Sequence, residues 1–353
     1  MLIKLVRRCS LIAVLISLIF LFCLCSTGGT LSPGDKTTFT VDGISFTMVY
    51  VPGGVTFPTG TDDDGGDETV SDAYWIGETE VTYELWSTVY TWATTDVGGG
   101  VRDDDGPLYT FENLGTQGSG NSGLITDQHP VTRVHWRDSM VFCNAITEWY
   151  NSQNGTSYTA VYTYTGSIIR DSRETNATAC DNAVAGATAD GFRLLTSMEW
   201  ELAARYITDD GDNILDQIGE YYPGNYTSGA DDAYDQTASS DFDGDGDTQS
   251  TGDVAWYSNN SDPDGDSTNS TQIAGTAGNY GGATLSGNAN ALGLYDMSGN
   301  VYELCFDLSD SSRVIRGGNW LFDAIDLRIG NVSALSPSYT SYGLGFRFAR
   351  TAE

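Results

Sequence analysis

Gly293-Leu294-Tyr295-Asp296-Met297-Ser298-Gly299-Asn300-Val301-Tyr302-Glu303, then Arg316-Gly317-Gly318-Asn319-Trp320, then Gly345-Phe346-Arg347: these three pieces decide how the chain is read. The first is a tight, glycine-containing turn bearing two carboxylates. Between the second and third lies Leu321–Tyr342, which mixes Leu, Phe, Asp, Ile, Ser, Ala and Tyr. That stretch follows neither a helical nor a strand period, so it is unlike a core element. Only Ala324, Arg328, Gly330, Val332 and Pro337 inside it read as framework.

Upstream, Thr38–Val51 alternates apolar and polar residues (Phe39, Val41, Ile44, Phe46, Met48) and meets Pro52-Gly53-Gly54, which predicts a strand pair ending in a turn. An acidic loop is expected at Asp62–Glu68 and a short strand at Tyr74–Ile76. Thr82 is placed to cap a helix that buries Leu85, Trp86, Val89, Tyr90 and Ala93. Gly98–Gly123 reads as a long loop. A second helix is expected over Arg137–Tyr150, stopped by Asn154-Gly155, and a strand over Thr156–Tyr164. Thr196 and Glu199 form a capping box that opens a helix over Met198–Tyr206. Residues 209–282, rich in Asp, Gly, Ser, Thr and Asn, read as a solvated insertion with Trp256 and Tyr257 as local anchors.

The 48 acidic residues against 16 basic ones give a formal net charge of −32, which repels phosphate backbones and excludes nucleic acid as a partner. Abundant Gly and Tyr beside few charged residues suit a loop-rich fold rather than a helical bundle. At the N-terminus, Lys4, Arg7 and Arg8 precede the apolar run Leu11–Leu24. At roughly 15 residues that run suits a signal-peptide core and is short of the roughly 20 a spanning helix needs. Residues 1–25 are therefore expected to be a signal peptide and 26–37 a flexible tether, with one domain over 38–353. Cys25, with Cys23 as the lesser choice, sits where a lipidated cysteine would stand; Cys-Leu-Cys also reads as an ordinary small-residue cleavage site. Membrane contact is expected only through such an anchor. Cys143, Cys180 and Cys305 fall in the domain, and this odd number leaves at least one thiol without an intramolecular partner.

The opening Gly43–Gly54, Glu78-Thr79-Glu80-Val81-Thr82, His129-Pro130-Val131 to Trp136, Gly191–Arg205 and the three pieces above keep their order from about residue 38 to 350. In these motifs the chain resembles the formylglycine-generating-enzyme, or sulfatase-modifying-factor, family. The resemblance implies an α+β, elaborated C-type-lectin-like fold with little regular secondary structure and long loops. Catalytic members carry two cysteines after the Gly-Gly motif whose thiolates bind copper; here Phe322 and Leu327 stand in those places. Other branches hold iron with three histidines, and this chain has only His129 and His135. Neither copper nor iron is therefore expected, and the chain reads as a non-enzyme. The alternative is an exported formylglycine-generating-type oxidoreductase or enzyme-assembly factor with altered chemistry.

The layout is most similar to the variable proteins of diversity-generating retroelements, which display a hypervariable ligand-binding face near the C-terminus of this fold. Replacement of adenines in Asn-type codons excludes Lys, Glu, Gln, Met and Trp, and none of these occurs from Leu321 to Arg350. With a variable region at about 317–350, the resemblance assigns display to Leu321, Phe322, Asp323, Ile325, Asp326, Ser333, Ala334, Leu335, Ser338, Tyr339, Ser341 and Tyr342. Tyr and Phe suit a paratope because they give contact area at low entropic cost, while Ser and Asp adapt their hydrogen bonds. The expected partner is a protein or glycan on another cell or surface. The family also wraps a structural Ca²⁺; the matching ligands are the side chains of Asp296 and Glu303 and the carbonyls of Gly299 and Val301. A second, incomplete calcium loop is read at Asp241, Asp243 and Asp245, with Gly252 where a closing Glu should stand.

Overall fold

The alternating residues near the N-terminus become two strands, Lys36–Val41 and Ile44–Val51, of a five-stranded antiparallel sheet in the computed structural model. The structure describes residues 30–95, 107–120, 125–207, 221–235, 237, 248–262, 265 and 268–352. The sheet continues through Tyr74–Gly77, Phe348–Thr351 and Phe192–Leu194, so the C-terminal strand lies between two segments distant from it in sequence. Ile44–Val51 is buried on both faces. Met48 joins one core with helices α1 (Tyr83–Thr94) and α2 (Trp136–Asn154). Val49 and Val51 join a second core with the helix Ser197–Arg205, here α3.

Each helix starts where its capping residue dictates. Thr82 accepts from the Leu85 amide, and Thr196 and Glu199 close the reciprocal capping box. α2 begins one residue earlier than its apolar pattern implies because His135 is its cap, paired with Asp138. Gly155 ends that helix in the left-handed conformation, at φ 66°.

Three expectations need correction. Half of the acidic stretch is a strand: Gly66–Val70 pairs with Val55–Thr59 and buries Val70. Only Tyr162–Tyr164 of the expected Thr156–Tyr164 strand is extended in a ladder. The described parts of 209–282 are not a solvated appendage, for Val254, Ala255, Trp256, Thr271 and Ala274 are all buried. Asp241, Asp243 and Asp245, and the N-terminal segment with Cys23 and Cys25, lie outside the described residues. Cys143, Cys180 and Cys305 are buried free thiols. Among the described residues no helix is long and apolar enough to cross a membrane.

Candidate ligand-binding site

A second, four-stranded sheet carries the C-terminal face. Its order is Ser333–Leu335, Ser312–Arg316, Tyr302–Ser309 and Leu344–Gly345, antiparallel except for the last pair. The chain leaves this sheet after Arg316 and runs through residues 321–332 before returning as the short edge strand Ser333–Leu335. None of the twelve expected display residues is buried. Leu321, Phe322, Asp323, Ile325, Ser333, Ser338, Tyr339 and Tyr342 are exposed, and Asp326, Ala334, Leu335 and Ser341 are half-buried. Five of the exposed ones are large apolar or aromatic side chains, and Val332 adds a sixth. Leu327 and Ile329 point the other way into the cores, both fully buried.

The loop is held mainly by its backbone. Asn319 Nδ2 donates to the Gly343 carbonyl at 2.9 Å, and its Oδ1 accepts from the Leu321 amide. Trp320 Nε1 reaches the Tyr342 carbonyl, and Ser261 Oγ donates to the Trp320 carbonyl. Arg316, fully buried, donates to the carbonyls of Ile329 and Asn331 and pairs with Glu201 at 2.7 Å. The Ser258 amide bonds the Phe322 carbonyl, and the Arg133 amide bonds that of Ser341. Gly330 lies so close to Gly60 that a Cβ there would meet its carbonyl carbon at 2.3 Å. Some display side chains are tied as well: Asp323 accepts from Ser258 Oγ, Ser341 Oγ accepts from the Gly343 amide, Ser338 Oγ pairs with Ser336 Oγ, and the Tyr342 ring lies 4.4 Å beneath the Arg133 guanidinium. Arg133, Ser258 and Ser261 were not legible as supports; the positive φ of Arg133, 55°, has no sequence signal of its own.

The places expected for catalytic cysteines diverge. Phe322 is exposed and rests edge-on against Tyr302 at 5.5 Å, while Leu327 is core. Neither side chain can ligate a metal. His129 Nδ1 accepts from the Thr126 amide, and burial lowers its pKa to about 4, so it stands neutral as a turn residue. His135 Nδ1 accepts from the Asp138 amide as a helix cap. Both histidines are occupied by local backbone.

At the turn expected to hold calcium, Asp296, Gly299 and Asn300 all take the left-handed conformation. Glu303 is drawn to Arg347, which donates from Nε and Nη2 at 2.8–3.2 Å, and accepts from Trp200 Nε1 at 2.8 Å. Both Glu303 oxygens are thus engaged, Oε1 by two guanidinium contacts and Oε2 by one guanidinium and one indole contact. Asp296 differs: Oδ2 accepts from the Gly275 amide, while Oδ1 is buried with no hydrogen-bond partner in the protein. Glu80, just before α1, is 1% exposed and both its carboxylate oxygens lack a partner. Burial above all, and next the charge of Asp296, holds the Glu80 carboxyl well above the usual carboxylate range. Burial likewise pushes Asp296 up to about 6.

Three carboxyl groups therefore lie near one guanidinium, which pairs with Glu303, and burial favours the protonated forms of Glu80 and Asp296. No three His, Cys, Asp or Glu side chains among the described residues would hold a metal by themselves. The unmet oxygens of Glu80 and Asp296 are hard donors and fit a divalent cation completed by backbone carbonyls. Glu80 escaped the sequence reading, although its motif Glu78-Thr79-Glu80-Val81-Thr82 was singled out; nothing in the pattern told a buried carboxylate from a surface one.

Residues 40–352 match the sulfatase-modifying factor enzyme 1-like domain. The chain is 26% identical over 312 residues to the chaperone protein LppX of Paenibacillus barcinonensis, covering 84% of this chain and 82% of that protein. Variable protein 1 of Treponema denticola is similar in structure, with a TM-score of 0.57 and 25% identity, over 90% of this chain and 99% of the other. CarF superposes at 0.58 with 24% identity over 89% and 99% of the two chains. PvdO from Pseudomonas aeruginosa does so at 0.52 with 20% identity over 91% and 100%; these last two speak for the fold alone. The chain belongs to the sulfatase-modifying factor enzyme 1-like family.

Proposed function

We propose that this protein is an exported, surface-displayed binding protein without family-type oxidase chemistry, which meets a protein or glycan partner through residues 321–342. One observation carries the reading. Eight of the twelve expected display positions are exposed, on a loop whose backbone is fixed by Asn319, Trp320, Arg316, Ser258 and Ser261. Leu321, Phe322, Ile325, Tyr339 and Tyr342 supply the anchoring area that binding hot spots need. The similarity to a variable protein agrees with this use of the fold. The anchor is a lipid on Cys25, and Ca²⁺ sits between Glu80 and Asp296 with carbonyls of Gly299 and Val301, relieving the buried charge there.

Reading the flanking DNA tests diversification. A reverse-transcriptase gene and a near-copy of the codons for Gly317–Arg350, differing only at adenines, are expected; their absence removes the hypervariable reading. Incubation of the protein with copper and a cysteine-containing sulfatase peptide is expected to leave the thiol unchanged. Formylglycine formation would refute the binding-only view.

The likeness to a protein named a chaperone favours a second reading, an enzyme-assembly factor whose exposed apolar face holds a client. Such a factor needs no adenine-related repeat beside its gene, which separates the two.

A further inference from the structure

The chain carries 48 acidic residues against 16 basic ones, so a cation near its surface has many carboxylates to choose from. Most of the described Lys and Arg residues that are not buried have taken one. Lys36 pairs with Glu78, Arg170 with Glu148, Arg173 with Asp171 and Arg193 with Glu199. Exposed Arg133 and half-buried Arg328 have no carboxylate partner among the described residues. Both stand at the 321–342 loop: Arg328 lies within it, and Arg133 meets it at Ser341 and Tyr342. Even the display carboxylates Asp323 and Asp326 pair with neither of them.

Arg133 is fixed at both backbone and side chain. Its φ of 55° is left-handed, a conformation that a residue with a β-carbon keeps only where its surroundings over-determine it. Here the Arg133 amide donates to the Ser341 carbonyl at 3.0 Å. The guanidinium lies 4.4 Å over the Tyr342 ring and donates from Nη1 to the Tyr342 hydroxyl at 2.9 Å. Its Nε and Nη2 donors meet no acceptor among the described residues. A planar, permanently charged fork with donors to spare matches a carboxylate through two parallel hydrogen bonds.

The rest of the face indicates what kind of molecule brings that carboxylate. Leu321 and Ile325 are exposed and offer contact area without hydrogen bonds, which suits apolar side chains rather than the hydroxyls of a sugar. An acidic peptide segment with apolar neighbours meets both features, whereas an acidic glycan meets only the charge. We infer that Arg133 is a fixed specificity-determining residue of this face, binding an Asp or Glu side chain on a partly apolar segment of a partner protein. The inference rests on the C-terminal face being the binding site. Because Arg133 lies outside 317–350, exchange of the display residues would keep its demand for an acid and change only the neighbours selected with it.

The test pans a library of random linear peptides, displayed on phage, against the immobilised protein. Selected peptides are expected to carry an Asp or Glu beside aromatic or aliphatic residues. Arg133→Gln, at an exposed position, should weaken a selected peptide about tenfold without moving the melting temperature. Changing that peptide's acid to its amide should cost the parent protein as much, and cost the Arg133→Gln protein nothing further. Arg173→Gln, whose residue is committed to Asp171, should leave binding unchanged. Selected peptides without an acid, no selected peptide at all, or binding indifferent to Arg133→Gln would overturn the inference. So would a glycan array on which only sialylated or uronic-acid sugars bind, since the charge would then read a sugar. Loss with Phe322→Ser but not with Arg133→Gln removes this inference and keeps the C-terminal reading, whereas indifference to both removes both.

Discussion

The turn at 296–303 and the loop at 321–342 are neighbours in sequence but are built on opposite terms. Around Glu303 and Arg347 specific side chains do the holding: the guanidinium serves Glu303, the Gly77 carbonyl and the Tyr295 carbonyl at once. Over 321–342 the frame grips carbonyls and amides instead, at Leu321, Phe322, Ile329, Asn331, Ser341 and Tyr342. A backbone bond does not depend on which side chain the residue carries. The first region therefore constrains residue identity, and the second constrains path while leaving identity open.

The sharpest way to break this contrast is Arg347→Met, which strands Glu303 in a dry interior beside Asp296 and Glu80. Removal of one partner from a buried pair costs about 3–5 kcal/mol, so urea denaturation should show the midpoint falling steeply, or no folded protein at all. A midpoint like that of the parent would mean the cluster is far wetter than its burial implies.

Calcium gives the next effect. Saturating Ca²⁺ at about a hundredfold over its dissociation constant stabilises by about 2.7 kcal/mol, read as a rise in melting temperature that chelation reverses and Glu80→Gln diminishes. The pH response gives an independent check. Asp296 and Glu80 have folded pKa values raised above the unfolded ones, so the metal-free fold binds more protons than the unfolded chain between about 4 and 6. The contribution of Asp296 is therefore greatest at acid pH and is lost as pH rises through about 6, and that of Glu80, raised well above the usual carboxylate range, runs in the same direction. Metal-free protein melting higher at pH 7 than at pH 5 would contradict this account of the cluster.

Asn319→Ala removes the clasp on Gly343 and Leu321; the Gly343 carbonyl keeps the Tyr302 amide, so the expected loss is that of ordinary hydrogen bonds, about 0.5–1.5 kcal/mol each, read by urea denaturation. The smallest change is expected on the face itself: Phe322→Ser or Tyr339→Ser should move stability by no more than about 0.5 kcal/mol. A loss of 2 kcal/mol or so at Tyr339 would show the face to be structural rather than free to vary.

Much of the fold was legible because it rests on local rules. Thr82, Thr196 with Glu199, and Gly155 each announce a helix end through chemistry confined to a few residues. The loop 321–342 was legible by its lack of period. What escaped was burial achieved without hydrophobic pattern. Ser261, Ser270, Thr271 and Gln272 are buried through hydrogen bonds to Trp320, Ser119 and Asn300, contacts that composition alone reads as solvent-facing. Glu80 was missed for the same reason: its environment is made by Asp296, Glu303 and Arg347, all remote in sequence.

The three domain thiols bear on how such a protein matures. Cys143, Cys180 and Cys305 are each sealed in packing, and burial raises all three pKa values, that of Cys180 to about 12. At neutral pH scarcely any thiolate exists to attack a disulfide or to be oxidised. Once folded, the domain presents oxidants and disulfide isomerases with three thiols that are closed to them, so its cysteines count in folding and not afterwards.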